Sequence, residues 1–224
     1  PDGNVYFVGN PSGMLQCYNP QQKKITQMPN FTAVKDASIL EASEDGKIFI
    51  SAYSKSGGYV AEYDLNTQTF KNLGAFREGA QYVQGLSVTD DYVYGGTGVS
   101  EEMQAVVRHD RITGEKQIVA SKMGGGTIYR IDVIDGKIFA VKNSNILVFD
   151  EKTLELLDTI PSSGKQYVFS TPSPYDSNIL YYTKNNIDIY TYNIQTKEKL
   201  KIMSIDAPSD RPLIGLDWIK NPNG

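Results

Sequence analysis

At 224 residues, with 40% hydrophobic and 21% charged side chains, the chain is long enough to bury one sizeable core. Its formal net charge of -4, with Lys and Arg scattered among Asp and Glu, leaves no basic stripe to release counterions from a phosphate backbone, so no nucleic-acid partner is expected. One cysteine and one histidine exclude an internal disulfide and leave no material for a clustered zinc site.

Along the chain one phrase recurs five times with a period of roughly 40 to 47 residues. It is a turn, a β-rich run, a gap, and an aromatic-Asp/Asn-x-x-Thr box. The first copy has the turn Asp2-Gly3, strands over Asn4 to Val8 and Met14 to Tyr18, and the box variant Tyr18-Asn19-Pro20. The second runs from an inner strand, Ser38 to Ala42, through the turn Glu44-Asp45-Gly46 to strands Lys47 to Ile50 and Tyr59 to Tyr63. Its box is Tyr63-Asp64-Leu65-Asn66-Thr67, and the more polar run Gln68 to Leu73 follows.

In the third copy the strands are Tyr82 to Val88, Tyr92 to Tyr94, Ala105 to His109 and Lys116 to Val119, with the turn Asp90-Asp91 and the box His109-Asp110-Arg111-Ile112-Thr113. The fourth takes Ile128 to Val133, the turn Asp135-Gly136, Lys137 to Val141, Ile146 to Phe149, and the box Phe149-Asp150-Glu151-Lys152-Thr153. The fifth takes Tyr167 to Thr171, the turn Asp176-Ser177-Asn178, Asn178 to Tyr182, Ile187 to Tyr192, and the box Tyr192-Asn193-Ile194-Gln195-Thr196. A last strand, Leu213 to Trp218, precedes another turn, Asn221-Pro222-Asn223-Gly224.

Strand signals at this period, with no helical periodicity, predict an all-β fold: a β-propeller of about five four-stranded antiparallel blades in a single domain over 1–224. The blades are expected at 213–224 with 1–30, then 36–74, 80–120, 126–160 and 166–204. Leu213 to Trp218 would complete the N-terminal blade and remove the exposed edges. The rival is a five-blade excerpt of a larger ring. Because the chain opens at Pro1 rather than Met, it reads as a processed chain or a piece of a longer one, a monomeric module in either case. No apolar run approaches the roughly 20 residues of a membrane span.

The run Gly46-Lys47-Ile48-Phe49 followed by Ala61-Glu62-Tyr63-Asp64-Leu65-Asn66-Thr67 resembles the PQQ-like, NHL-like and streptogramin-lyase-like propeller repeats of bacterial proteins. The resemblance spans nearly the whole chain and implies the scaffold. Relatives of that kind include lyases, hydrolases and binding modules, so it implies no single activity. Similar propellers are often attached to secreted carbohydrate-active proteins, which implies an extracellular or cell-surface location and a glycan ligand. Quinoproteins of this look carry a docking tryptophan in each blade; the lone Trp218 implies no quinone, and no cofactor is expected.

In such a fold the segments leading into the innermost strands and the loops joining second to third strands crowd one face. The residues placed there are Lys35-Asp36, Gln81-Tyr82, Tyr129-Arg130, Gln166-Tyr167 and Arg211, with Gln-Tyr-Val occurring at both 81–83 and 166–168. Asp36, Gln81, Tyr82, Tyr129, Arg130, Gln166, Tyr167 and Arg211 form the candidate ligand set, since flat aromatic faces beside forked donors suit a sugar or an anionic sugar. Tyrosines packed between blades are the structural alternative. The loops Asn10 to Gly13, Tyr53 to Gly58, Gly95 to Glu102, Asn143 to Asn145 and Lys184 to Asn186 should share that face.

Gly95-Gly96-Thr97-Gly98 and Gly124-Gly125-Gly126 are not followed by a helix and read as flexible loops rather than phosphate cradles. The turn aspartates, spread one per repeat without a D-x-D-x-D-G loop, read as caps and not as calcium ligands. His109 stands at the aromatic position of its box and reads as core; Cys17 reads as a small buried hydrophobe. Glu41, Asp132 and Asp217 are the inner-strand carboxylates, at strand ends away from the candidate face. The reading is a non-catalytic module of a secreted or surface bacterial protein that binds carbohydrate or a protein partner. The alternative is a polysaccharide lyase or glycoside hydrolase, with Tyr82 or Tyr167 paired to Arg130 or Arg211.

Overall fold

The computed structural model describes residues 3–98, 100–163, 168–185, 187–206 and 216. Among these, eighteen strands form five antiparallel sheets and there is no helix. Among the described residues no helix is therefore long and apolar enough to cross a membrane. By contacts the chain divides into two compact units, Pro1–Ile131 and Asp132–Gly224.

In the first unit, β1 (Val5–Val8), β2 (Leu15–Asn19) and β3 (Lys24–Gln27) make a three-stranded sheet. The second sheet contains β4 (Leu40–Ala42), β5 (Lys47–Ala52), β6 (Tyr59–Asp64) and β7 (Thr69–Ala75); the third contains β8 (Val83–Val88), β9 (Tyr92–Thr97), β10 (Ala105–Asp110) and β11 (Lys116–Ser121). The fourth consists of β12 (Ile128–Ile134), within which the division falls, β13 (Lys137–Lys142), β14 (Asn145–Asp150) and β15 (Leu156–Pro161). The second unit ends with β16 (Ile179–Lys184), β17 (Asp188–Asn193) and β18 (Lys199–Ser204). Each sheet is an up-and-down meander, the blade of a β-propeller.

Second and third strands are the most buried. β5, β9, β13 and β14 are covered along nearly their whole length, as strands sandwiched between neighbouring sheets must be, and their runs of Ile, Val, Phe and Tyr suit that position. Between the second and third sheets Phe49, Val60, Phe76, Val83, Leu86, Val93 and Val107 form one cluster. In the second unit Phe139, Val148, Phe169, Leu180 and Tyr192 form another. Fully burying one such side chain stabilises by about 1.5–3 kcal/mol. Fourth strands are exposed, β3 and β18 throughout. β7, β11, β15 and β18 each join the third strand with a register shift, which twists the free edge away from flat pairing.

The boxes are Asx turns. Asp64 Oδ1 accepts the N–H groups of Asn66 and Thr67 at 2.8 and 3.0 Å. Asp110, Asp150 and Asn193 repeat the pair of bonds, each from the second and third residues after it. The residue after each Thr then turns left-handed: Gln68, Gly114, Leu154 and Lys197, with φ of 56°, 77°, 63° and 61°. The Thr N–H groups, foremost among the causes, hold the carboxyls of Asp64, Asp110 and Asp150 below the usual carboxylate range. His109 and Cys17 are buried, in the core positions expected of them.

Two expectations are corrected. Gly95 and Gly96 are strand residues of β9, not loop glycines: a Cβ on Gly95 would lie 2.2 Å from Phe76 Cδ1, and one on Gly96 would lie 2.6 Å from Ile128 Cγ2. They are glycine because neighbouring elements occupy the side-chain space. The inner strand expected over Tyr167 to Thr171 is reduced, in its described part, to one bridge between Phe169 and Tyr182, with bonds from Thr183 N–H to Val168 O and from Ser170 N–H to Tyr181 O. Pro172 and Pro174 carry no N–H to extend the ladder, and the Ser170 hydroxyl turns onto Thr171 O at 2.6 Å. The closing strand expected over Leu213 to Trp218 lies, Leu216 apart, outside the described residues.

Candidate functional site

Each meander places its second-to-third loop at the end opposite its box. In the first unit these loops are pinned to the segments leading into the next inner strands. Val34 N–H donates to Gly13 O at 2.9 Å, tying the β1–β2 loop to the approach to β4. Gly58 N–H reaches Ala80 O at 2.6 Å, Ser54 N–H reaches Gln81 O at 3.1 Å, and Gly79 N–H reaches Ser56 O at 3.0 Å, stitching the β5–β6 loop to the approach to β8. Beyond β9, the Thr127 hydroxyl donates to Gly98 O at 2.6 Å. The buried Gln104 amide donates to Gly125 O and Gly126 O and accepts Met123 N–H. That glycine run is thus held in place rather than flexible.

This stitching assembles a cluster at the approaches to β4 and β8. The Tyr53 ring, just past β5, lies 4.9 Å from the Tyr82 ring, tilted by 50°. Lys35 Nζ stands 4.9 Å from the Tyr53 ring centroid, and Tyr53 N–H donates to Lys35 O at 2.9 Å. Asp36 follows with a left-handed backbone, φ 47°, and Gln81 precedes Tyr82. Gly58 is glycine because a Cβ there would lie 2.6–2.9 Å from the Tyr82 backbone, so loop and platform are seated against one another. Lys35, Asp36 and Gln81 are exposed, and Tyr53 and Tyr82 are half-buried.

Among the described residues the side-chain hydrogen-bonding groups of Lys35, Asp36, Tyr53, Gln81 and Tyr82 take no protein partner. The opposite end of the blade differs sharply. There the box carboxylates are bonded to backbone, and Arg111 fills its donors with Thr89 O, Asp90 O and Asp45. A rigid group of aromatic faces with unfilled polar tips is equipped to stack on a flat ligand and bond its rim.

Of the eight residues read from sequence, the structure brings Asp36, Gln81 and Tyr82 into this cluster. Tyr129 and Arg130 lie on β12, in the next sheet; a Cβ on Gly85 of β8 would meet the Arg130 backbone at 3.3 Å. Gln166, Tyr167 and Arg211 lie outside the described residues, as does Asp217. Sequence reasoning missed Tyr53 as the partner of Tyr82. Its position directly after a second strand, at the start of a loop on the candidate face, was the available signal. Among the described residues no three His, Cys, Asp or Glu side chains come together to hold a metal ion.

No family model matches the sequence, and no curated protein matches it. The fold is similar to that of a chain in a crystal structure of a mitotic checkpoint complex, with a TM-score of 0.65 at 14% sequence identity. The match covers 84% of this chain and 56% of that one, so this chain spans little more than half of the other's length. At that identity the likeness establishes the propeller fold alone.

Proposed function

We propose that this chain is a non-catalytic, ligand-binding propeller module of a secreted or cell-surface bacterial protein, of the PQQ-like and NHL-like kind, and that it binds carbohydrate. The observation that carries the reading is the Tyr53–Tyr82 platform at 4.9 Å, set between Lys35 and Gln81 with its polar groups unfilled. Sugar rings present apolar faces to tyrosine and hydroxyls to such a rim. A protein partner on the same face is the second reading, since a half-buried tyrosine pair beside exposed polar side chains also suits a protein surface.

A glycan-array and polysaccharide-panel binding screen, read beside ultraviolet absorbance for unsaturated product, tests this. The proposal expects saturable binding without product. Product would make the chain a lyase, and silence on every saccharide would overturn the carbohydrate reading.

A further inference from the structure

Resting on that carbohydrate reading, we infer that the saccharide is acidic, a uronic-acid oligosaccharide whose carboxylate meets Lys35. A neutral pyranose stacked on Tyr53 and Tyr82 would need aromatic faces and hydrogen-bonding rim groups and would make no use of an unpaired cation. Lys35 is such a cation: it is exposed, it stands 4.9 Å from the Tyr53 centroid, and among the described residues no carboxylate pairs with it. Four described lysines elsewhere pair with a carboxylate, Lys47 with Asp45, Lys137 with Asp135, Lys199 with Asp158 and Lys201 with Asp188, and none of these four stands at the Tyr53–Tyr82 cluster.

Lys55, exposed in the β5–β6 loop, adds a second unpaired cation, and Asp36 is the carboxylate of the group. A bound uronate ring would stack on tyrosine, its carboxylate would accept a charge-assisted bond from Lys35 Nζ, and a ring hydroxyl would donate to Asp36.

Isothermal titration calorimetry of the full chain with galacturonate and mannuronate trimers, and with their methyl esters, tests the inference. The esters keep ring and hydroxyls and remove the charge. Expected are binding of at least one acid, binding of its ester at least tenfold weaker, weakening of the acid by added salt, and loss of the acid–ester difference in Lys35→Gln. Equal affinity for acid and ester would overturn the acidic ligand, and a Lys35→Gln chain that still discriminates would overturn the contact assigned to Lys35; either result leaves the carbohydrate reading standing. Absence of binding by any trimer overturns the acidic ligand as well. If a panel of neutral saccharides is then also silent, the carbohydrate reading falls with it.

Discussion

His109 lies 5.9 Å, centroid to centroid, from the ring of Phe76, tilted by 42°, and neither of its ring nitrogens has a hydrogen-bond partner among the described residues. Burial, reinforced by the nearby charges of Lys116 and Lys71, pushes its pKa down from 6.5 to about 4, with Asp110 opposing. Between those values the unfolded chain holds a proton that the folded chain refuses. Stability should therefore fall as pH drops from 6.5 to 4, by about 3–4 kcal/mol at most from this group, and this contribution is constant outside that window. His109→Phe, which restores the residue type of Phe149 at the same box position, should flatten the profile. Urea midpoints at pH 7.5, 5.5 and 4.5 check this; parallel profiles for the two chains would refute it.

Arg111 should matter more than the carboxylate it pairs with. Its guanidinium donates to Thr89 O and Asp90 O at 2.8 and 3.0 Å and to Asp45 at 2.6 Å, and it lies 5.3 Å from the Phe49 ring centroid. The Arg111 side chain is 7% exposed and that of Asp45 47%, so water screens the ion pair. Asp45→Asn is expected to cost less than about 1 kcal/mol, and Arg111→Ala about 2–3 kcal/mol because two carbonyls lose their donor. Arg111→Lys should not restore the loss, since an ammonium cannot reproduce the planar fork. Denaturant titrations of the three variants decide the order.

Glycines separate by what surrounds them. Gly96→Ala places a Cβ 2.6 Å from Ile128 Cγ2 and 2.9 Å from Ile128 O, and should cost about 2 kcal/mol or more. Gly114→Ala has nothing within 4 Å, and the equivalent box positions already hold Gln68, Leu154 and Lys197 at positive φ; it should cost about 1 kcal/mol or less. Thermal melts showing the reverse order would contradict the packing described for β9.

The boxes and the second strands were legible because their cause is local. An Asp or Asn followed by two backbone N–H groups closes its own turn, and a run such as Lys47-Ile48-Phe49-Ile50 is fit for burial wherever it sits. Gly95 and Gly96 were misread for the opposite reason: propensity assigns glycine to loops, whereas their role is set by Phe76 and Ile128, which reach them only in the folded chain. Asp36, Gln81 and Tyr82 of the candidate site were visible for the same mixture of reasons. The Gln81-Tyr82 echo marked Tyr82, but its partner Tyr53 belongs to the preceding blade and is delivered by backbone bonds to Lys35 and Gln81 that no repeat pattern announces.

The central claim is that ligand binds at the Tyr53–Tyr82 end of the blade and not at the box end. The most direct measurement is the affinity of Tyr53→Ala, Tyr82→Ala and Ile112→Ala for the saccharide that the panel screen ranks first, Ile112 being 89% exposed in the opposite turn. Both tyrosine variants should bind more weakly, by about fivefold or more, with an unchanged far-ultraviolet circular dichroism spectrum, since each removes a stacking face worth about 1 kcal/mol or more, while Ile112→Ala binds as the parent does. Full affinity in both tyrosine variants, or loss confined to Ile112→Ala, would contradict the account.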